Sequence, residues 1–172
     1  MIGLQTSRDG KLTRINKMEL CDNVDTSKVK IIKVLVTPED LDTLNGKSDA
    51  IFPIIPGRVA IGQVSDAGEN AYLTRGTRVY ITPVSNCGKC PECLSDNEKD
   101  CSDLKIAGKN VNGYLRDFAV VENKDMHALP PSVTDGDALL LDYLSISLSA
   151  MEKLEIKKAN TWRSSGAEFS AR

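Results

Sequence analysis

Four of the five cysteines of this chain lie within fifteen residues and have the spacing of metal-binding thiolates, C-x2-C-x2-C-x7-C. Thiolates prefer soft metal ions, and four of them on a short loop can surround Zn²⁺ tetrahedrally. Because the protein supplies all four ligands, such a site leaves no position for water or substrate. We therefore predict one structural zinc per chain, bound by Cys87, Cys90, Cys93 and Cys101.

Three other states of these cysteines stay open. Two disulfides would suit a secreted protein, and nothing in the sequence indicates secretion. The bacterial iron–sulfur pattern places its fourth cysteine after three residues and follows it with proline, whereas here the gap is seven and Ser102 follows. Unpaired or oxidised thiols are the third alternative. Cys21 lies far from the cluster, and we interpret it as a plain thiol of the fold.

The composition excludes several classes of function. The 172 residues allow one domain or slightly more, and 41% hydrophobic residues are enough for a packed core. The net charge is −2, its charges are interspersed, and aromatic residues make up only 5%. We therefore expect binding neither to nucleic acid nor to an anionic membrane.

The N-terminus lacks the apolar segment of a signal peptide, and Asp142 interrupts the longest apolar run. No segment is long enough to span a membrane. We therefore expect a cytoplasmic protein, in which a dense cysteine cluster favours metal binding over disulfides.

Short apolar segments separated by turns predict a small, mainly β, barrel-like body. Thr37 and Pro38 predict the start of a short helix that ends at Asn45-Gly46, and Thr134 caps a predicted late helix over residues 135–154. Gly62 inside a strand indicates a bulge or a close backbone approach. The single histidine, His127, is interpreted as a structural or surface residue. The predicted strands are 2–6, 11–16 (joined by a hairpin turn), 29–36, 59–64, 79–82 and 113–121.

The run Cys87-Gly-Lys-Cys90-Pro-Glu-Cys93 with Cys101 resembles the structural-zinc lobe of the zinc-containing medium-chain dehydrogenases, which include sorbitol, threonine and alcohol dehydrogenases. Gly76-Thr-Arg-Val79 and Asn112-Gly-Tyr114 are similar to two further motifs of their N-terminal, GroES-like domain. Asp96 stands where the family usually has glycine. The resemblance implies a partly open barrel with a few short helices over residues 1–155 and a zinc lobe at about 85–103.

The family's catalytic zinc site is not matched by this sequence. Thr37 stands for the first cysteine ligand, Asp40 ends the same motif, Arg58-Val59 stands for the His-Glu pair, and Asp142 stands for the ligand on the late helix. Neither a hydroxyl nor a guanidinium is a useful zinc ligand, so we expect no catalytic zinc. One hypothesis is that Arg58 pairs with Asp142 or Asp40 in place of the metal; the alternative is a solvated Arg58.

The family's second domain is a Rossmann fold that binds NAD(P) through a glycine-rich turn. In residues 156–172, Gly166 matches the first glycine of that turn, but Glu168 and Ala171 take the second and third places. A glutamate there would repel the pyrophosphate. We expect this segment to be a disordered remnant of a Rossmann domain or an added tail, with NAD(P) bound only by a full-length parent.

The resemblance therefore implies a catalytic-domain portion of a zinc-binding dehydrogenase. The parent would oxidise alcohols or reduce carbonyls with NAD(P), and this chain alone would be inactive. The alternative is a stand-alone, zinc-stabilised interaction or assembly module. In either case, helix 135–154 offers a surface for a homo-oligomer or for the missing Rossmann domain. A zinc-ribbon nucleic-acid binder is a third class, disfavoured by the net charge.

Overall fold

The computed structural model describes residues 1–16 and 24–154. The chain divides into two compact units, Met1–Leu140 and Leu141–Arg172. The predictions for Cys21 and for residues 156–172 lie outside the described residues. The strands are β1 (Ile2–Thr6), β2 (Leu12–Asn16), β3 (Thr26–Leu35), β4 (Val59–Asp66), β5 (Arg78–Ile81), β6 (Val84–Ser85), β7 (Lys105–Ile106), β8 (Phe118–Glu122) and β9 (Met126–Ala128), and the helices are α1 (Pro38–Leu44), α2 (Pro91–Leu94), α3 (Asp135–Leu139) and α4 (Leu141–Lys153).

The first unit is built on a five-stranded antiparallel sheet with the order β8-β3-β4-β5-β9. Two-stranded ribbons, β1-β2 and β6-β7, accompany it. The sheet does not close, because β8 and β9 are both edge strands, so the predicted mainly β, partly open body is confirmed. Its core consists mostly of small and β-branched residues: Val29, Ala60, Val64, Leu73, Val79, Ile81, Ala107, Tyr114, Ala119, Val121 and Met126.

The predicted hairpin between β1 and β2 is confirmed. The Gly10 N–H donates to the Ser7 carbonyl at 2.9 Å, and the Ser7 N–H donates to the Lys11 carbonyl at 3.2 Å. Gly10 has a φ of 75°, a conformation that glycine adopts without steric cost. A local turn signal was therefore sufficient to identify this element.

The predicted strand over residues 113–121 is too long, since β8 begins only at Phe118. Residues 113–115 instead cross the loop at residues 55–57. The N–H groups of Gly113, Tyr114 and Leu115 donate to the carbonyls of this loop at 2.6, 2.8 and 3.0 Å. A Cβ on Gly113 would lie 2.4 Å from the Gly57 carbonyl oxygen, so the two backbones touch. This contact replaces regular sheet pairing.

The predicted single helix over residues 135–154 is wrong, because two helices, α3 and α4, occupy this range. The Thr134 hydroxyl accepts from the Asp137 N–H at 3.2 Å and caps α3, as expected. The Leu140 N–H then donates to the Asp137 carbonyl at 3.1 Å, an i−3 bond that tightens the last turn and ends α3. No described helix has the length and hydrophobicity to cross a bilayer.

Helix α3 is fastened to the sheet by its first residue. The Asp135 carboxylate pairs with Lys33 of β3 at 3.0 Å and with Arg78 of β5 at 2.7 Å. The Lys33 hydrogen bond, followed by that of Arg78, lowers the pKa of Asp135.

His127, on edge strand β9, stacks on Tyr80 with 6.4 Å between ring centroids and places Nε2 3.0 Å from the Thr82 hydroxyl. These contacts agree with a structural role for the histidine.

At Gly62, strand β4 approaches strand β3 closely, as the position of this glycine inside a strand predicts. A Cβ at this residue would lie 2.3 Å from Val29 Cγ1 and 2.8 Å from the Lys30 carbonyl oxygen. The register of β3 against β4 shifts just beyond its partner Ile31, which is the bulge.

We predict that Gly62→Ala lowers the free energy of unfolding by at least about 2 kcal/mol, because the added methyl group overpacks the sheet. Urea denaturation measures the change. Gly136→Ala is the matched control: its Cβ would meet only Thr134 Oγ1, at 3.8 Å. It should leave stability unchanged or raise it by up to about 1 kcal/mol, because alanine favours helix. Equal effects of both substitutions would contradict the close approach.

Candidate functional site

The β6-β7 ribbon forms the base of the loop that carries the four cysteines. Val84 pairs with Ile106, and Ser85 pairs with Lys105. This pairing brings the two ends of the loop together, and the Cys87 N–H donates to Cys101 Sγ at 3.3 Å. Short helix α2 begins directly after Cys90 and carries Cys93 on its single turn. The loop is thereby folded so that cysteines distant in sequence converge.

All four sulfur atoms lie within 4.8 Å of one another, and none of the four cysteines forms a disulfide. Cys90 Sγ is 3.4 Å from Cys93 Sγ, and Cys87 Sγ is 4.0 Å from Cys93 Sγ. A tetrahedral zinc with Zn–S bonds of about 2.3 Å requires sulfur–sulfur separations of about 3.8 Å. The separations and the donor chemistry therefore fit a closed four-thiolate zinc site.

The backbone around the cluster favours thiolate at Cys87. Hydrogen bonds from the N–H groups of Lys89 and Cys90 lower the pKa of Cys87 to about 6. Removal from water and the neighbouring Cys90 raise the pKa of Cys93 to about 12. A bound cation would supply the positive charge that Cys93 needs in order to ionise, since metal binding displaces thiol protons.

Asp96 ends helix α2 in a left-handed conformation. Its φ is 58°, the only positive φ of a non-glycine residue among the described residues. The next N–H, that of Asn97, donates back to the Glu92 carbonyl at 2.9 Å. This bond satisfies a free carbonyl at the helix end, in the manner of a Schellman cap. Asp96 thus occupies a position that glycine fits best, where the family usually has glycine.

Lysines attach the cysteine loop to the sheet. Lys105 of β7 pairs with Glu122 of β8 at 2.7 Å. Burial opposes the charge of Glu122, yet the Lys105 hydrogen bond and charge keep its pKa below the usual value. Lys124 donates to the Ser85 hydroxyl at 2.9 Å and to the Asn86 carbonyl oxygen. Both attachments are polar and lie outside the hydrophobic core.

Thr37 is the N-cap of α1, and Pro38 occupies its first turn, so this prediction is confirmed. The Thr37 hydroxyl accepts from the Asp40 N–H at 3.3 Å and donates to Asp40 Oδ2 at 3.0 Å. The Thr37 N–H also donates to Asp40 Oδ2, at 2.9 Å. This reciprocal capping box was missed from the sequence, although Thr-x-x-Asp before a helix is its signal.

Both oxygens of the Asp40 carboxylate have backbone partners. Oδ1 accepts from the Gly57 N–H at 2.7 Å, while Oδ2 is bound at Thr37. Asp40 is only 1% exposed. Its carboxylate therefore joins the start of α1 to the loop that crosses residues 113–115.

Arg58 is half-buried and lines a cavity of about 330 Å³ beside α1. Within residues 1–16 and 24–140, no ion pair or hydrogen bond joins Arg58 to Asp40. The Glu39 backbone N–H is the main cause of a lowered pKa at Glu39, and the charge of Arg58 contributes less. Asp142 belongs to the second unit, and its pairing with Arg58 stays a prediction.

The side chains around the cavity beside α1 offer carboxylates and hydroxyls rather than thiols and imidazoles. Thr37 is occupied as a helix cap, Asp40 is bound by backbone N–H groups, and Arg58 carries only donors. Neither a thiol nor an imidazole lines the cavity, whose wall is formed by Glu39, Asp40, Asp42, Thr43, Lys47, Ser48, Asp49, Ala50, Arg58, Gly108 and Lys109. Among the described residues, the four cysteines form the one group of acidic, histidine or cysteine side chains whose ligand atoms converge, and the absence of a catalytic zinc stays a prediction.

We predict that Asp40→Ala lowers the free energy of unfolding by roughly 2–4 kcal/mol, because two buried backbone N–H groups lose their acceptor. Asp40→Asn keeps one acceptor oxygen and should lose less. Asp42→Ala, on the exposed side of the same helix, should change stability by less than about 0.5 kcal/mol. Denaturant unfolding of the three variants measures these differences. Equal effects at positions 40 and 42 would show that the buried carboxylate is not structural.

Comparison with known proteins agrees with this architecture. The alcohol dehydrogenase GroES-like domain matches residues 24–131, more than half of the chain. The chain is 28% identical over 135 residues to a sorbitol dehydrogenase from Halalkalibacterium halodurans, an alignment that covers 77% of this chain and 39% of that protein.

Two solved structures show the same fold. Galactitol-1-phosphate dehydrogenase from Escherichia coli matches with a TM-score of 0.81 and 23% identity, over 90% of this chain and 45% of that one. The RspB alcohol dehydrogenase from Escherichia coli matches with a TM-score of 0.80 and 23% identity, over 89% and 45%. The chain therefore spans less than half the length of these relatives. The GroES-like fold expected from the cysteine motif is confirmed.

Proposed function

Because the chain belongs to the alcohol dehydrogenase family through its GroES-like domain, we propose that it is the catalytic-domain portion of a zinc-binding, NAD(P)-dependent dehydrogenase. The parent activity is hydride transfer between NAD(P) and an alcohol or carbonyl compound. In this proposal the chain by itself is inactive, and its zinc is structural. No described cysteine or histidine lines the cavity beside α1.

The observation that carries the proposal is the convergence of Cys87, Cys90, Cys93 and Cys101 within 4.8 Å on a dehydrogenase-type fold. Bound zinc would cross-link a loop that has only one buried cysteine, Cys101. Four thiol groups without a disulfide also support a reducing compartment, which we propose is the cytoplasm.

The cofactor is proposed from relatives. The RspB structure contains NADH. In our proposal, a parent protein supplies the nucleotide-binding domain, and the GroES-like domain supplies the substrate side of the active site.

The second candidate function is a stand-alone, zinc-stabilised interaction module. Helix α4 favours it, because none of the thirteen residues of this helix is buried. Both candidates predict a structural zinc and no nucleotide binding by this chain, so self-association separates them: a monodisperse monomer would disfavour the interaction module.

The test combines metal analysis with nucleotide titration on the same sample. We predict one zinc per chain by elemental analysis and no change in NADH or NADPH fluorescence on titration. Cys93→Ser should lose the zinc because one of four ligands is removed, while the matched control Cys21→Ser should keep it. Circular dichroism should show that the sheet persists in both variants, since Cys93 lies outside the core.

Two zinc ions per chain, or tight binding of NADH, would contradict the proposal. Loss of the whole fold in Cys93→Ser would show that the loop supports the sheet as well.

A separate prediction concerns Asp96. We expect Asp96→Gly to keep or slightly raise zinc affinity, and Asp96→Val to lower it about tenfold, because the left-handed conformation costs a β-branched residue roughly 1–2 kcal/mol, whereas aspartate tolerates it. Competition with a chromogenic chelator measures the affinity. Ser102→Val, an exposed residue of the same loop, is the control and should bind zinc as the unmodified chain does. Equal losses at positions 96 and 102 would contradict the backbone explanation.

A further inference from the structure

A second cavity of the first unit, of about 610 Å³, lies between strand β8, the β6-β7 ribbon and residues 51–54. Glu122 of β8, Ser85 of β6 and Lys105 of β7 are among the residues that line it. We call it the β8 cavity. Its volume is within the range of pockets that hold small organic molecules. It shares no described lining residue with the cavity beside α1.

The side chain of Tyr114 offers the β8 cavity an unused hydrogen-bond donor. Tyr114 lines the cavity and is only 8% exposed. Within residues 1–16 and 24–154, no other group forms a hydrogen bond with its hydroxyl. The hydroxyl oxygen is not enclosed by protein atoms, so it faces open space. Because a buried phenol usually has a hydrogen-bond partner, this hydroxyl is available to a molecule in the cavity.

The surroundings of Tyr114 favour uncharged groups. Removal from water raises the pKa of Tyr114 well above its usual range, although the charge of Arg116 opposes this shift. The hydroxyl therefore keeps its proton at physiological pH and can donate it to an oxygen atom. A charged group of a ligand beside Tyr114 would lose its hydration just as a phenolate would, so an uncharged acceptor is favoured.

The charges on the described lining of the β8 cavity cancel. Lys105 pairs with Glu122 at 2.7 Å. The other two charged residues, Arg116 and Asp125, have opposite signs. This lining therefore has no net charge that would select an anion or a cation. Apolar side chains contribute much of the remaining wall, among them Ile51, Pro53, Ile54, Val111, Val120 and Val121.

We propose that the β8 cavity binds a small, uncharged organic molecule that has an apolar body and a carbonyl oxygen. The carbonyl oxygen accepts a hydrogen bond from the Tyr114 hydroxyl, and the apolar body lies against the aliphatic wall. Asn112 supplies a further donor at the cavity: the Ile55 N–H donates to Asn112 Oδ1 at 3.1 Å, which leaves the NH2 group to donate. This inference does not rest on the proposed function.

Titration of the full, zinc-loaded chain with benzamide, followed by NMR of its isoleucine and valine methyl groups, tests the proposal. Benzamide is uncharged and has one ring and one carbonyl oxygen. We expect saturable shifts of Ile54, Val120 and Val121, with a dissociation constant on the order of 1 mM. Val64, a core residue that does not line the cavity, should not shift. Benzoate and benzylammonium have the same ring and opposite charges, and each should bind at least about fivefold more weakly.

Removal of the phenol hydroxyl tests the polar contact. Tyr114→Phe should weaken benzamide binding about three- to tenfold, because one hydrogen bond is lost. Tyr72→Phe is the matched control: Tyr72 is 63% exposed and does not line the cavity, so this variant should bind benzamide as the unmodified chain does. Circular dichroism checks that both variants are folded. If Tyr114→Phe does not fold, the comparison of the three ligands on the unmodified chain still decides the proposal.

Neutralising one lining charge tests the charge balance. Glu122→Gln leaves Lys105 unpaired, so the preference for benzamide over benzoate should fall at least about threefold while benzylammonium binds more weakly. Glu39→Gln, a change beside the other cavity, is the control and should leave all three affinities unchanged.

Absence of saturable shifts up to about 20 mM benzamide, far above the affinity expected for a ligand of this size, would overturn the proposal. Benzoate or benzylammonium that bound the unmodified chain as tightly as benzamide would overturn the assignment to uncharged molecules. Unchanged benzamide binding in folded Tyr114→Phe would overturn the role of the phenol. Zinc analysis and NADH titration test the proposed function separately, because neither zinc nor NADH is assigned to this cavity.

Discussion

The described fold depends on the crossing of two backbone segments, residues 55–57 and 113–115. A side chain at Gly113 would collide with the Gly57 carbonyl, and three backbone hydrogen bonds join the segments. The Asp40 carboxylate also accepts a hydrogen bond from the Gly57 N–H. Helix α1, the loop before β4 and the segment before β8 are therefore held at one point. The positions of Arg58 and of the cavity beside α1 follow from this crossing.

The cavity beside α1 and the cysteine loop are built differently. At the cavity beside α1, Thr37 and Asp40 are part of the framework: one caps a helix and the other satisfies buried backbone N–H groups. Both residues stabilise the fold through these hydrogen bonds. The hypothesis that Arg58 is balanced by Asp40 loses its main support, because the Asp40 oxygens already accept three hydrogen bonds from Thr37 and Gly57.

The cysteine loop is nearly independent of this framework. Its sulfur atoms converge through local devices: the β6-β7 ribbon, the turn of α2 and the left-handed Asp96. It joins the sheet through lysine contacts at Ser85 and Glu122 and contributes no side chain between Cys87 and Cys101 to the hydrophobic core. A metal site with this construction stabilises its own loop. Substrate chemistry would require a different part of the molecule.

The features that the sequence by itself determined are those whose interactions are short in range. The ligand spacing, the Thr37 cap, the hairpin turn and the limits of α1 depend on residues within a few positions of one another. Tertiary structure decided the rest. Asp40 binds Gly57 seventeen residues away, and residues 113–115 leave the predicted strand to bind a distant loop. Short sequence patterns cannot predict these contacts, because a buried polar group forms its hydrogen bond with a partner that only the packing of distant segments brings close to it.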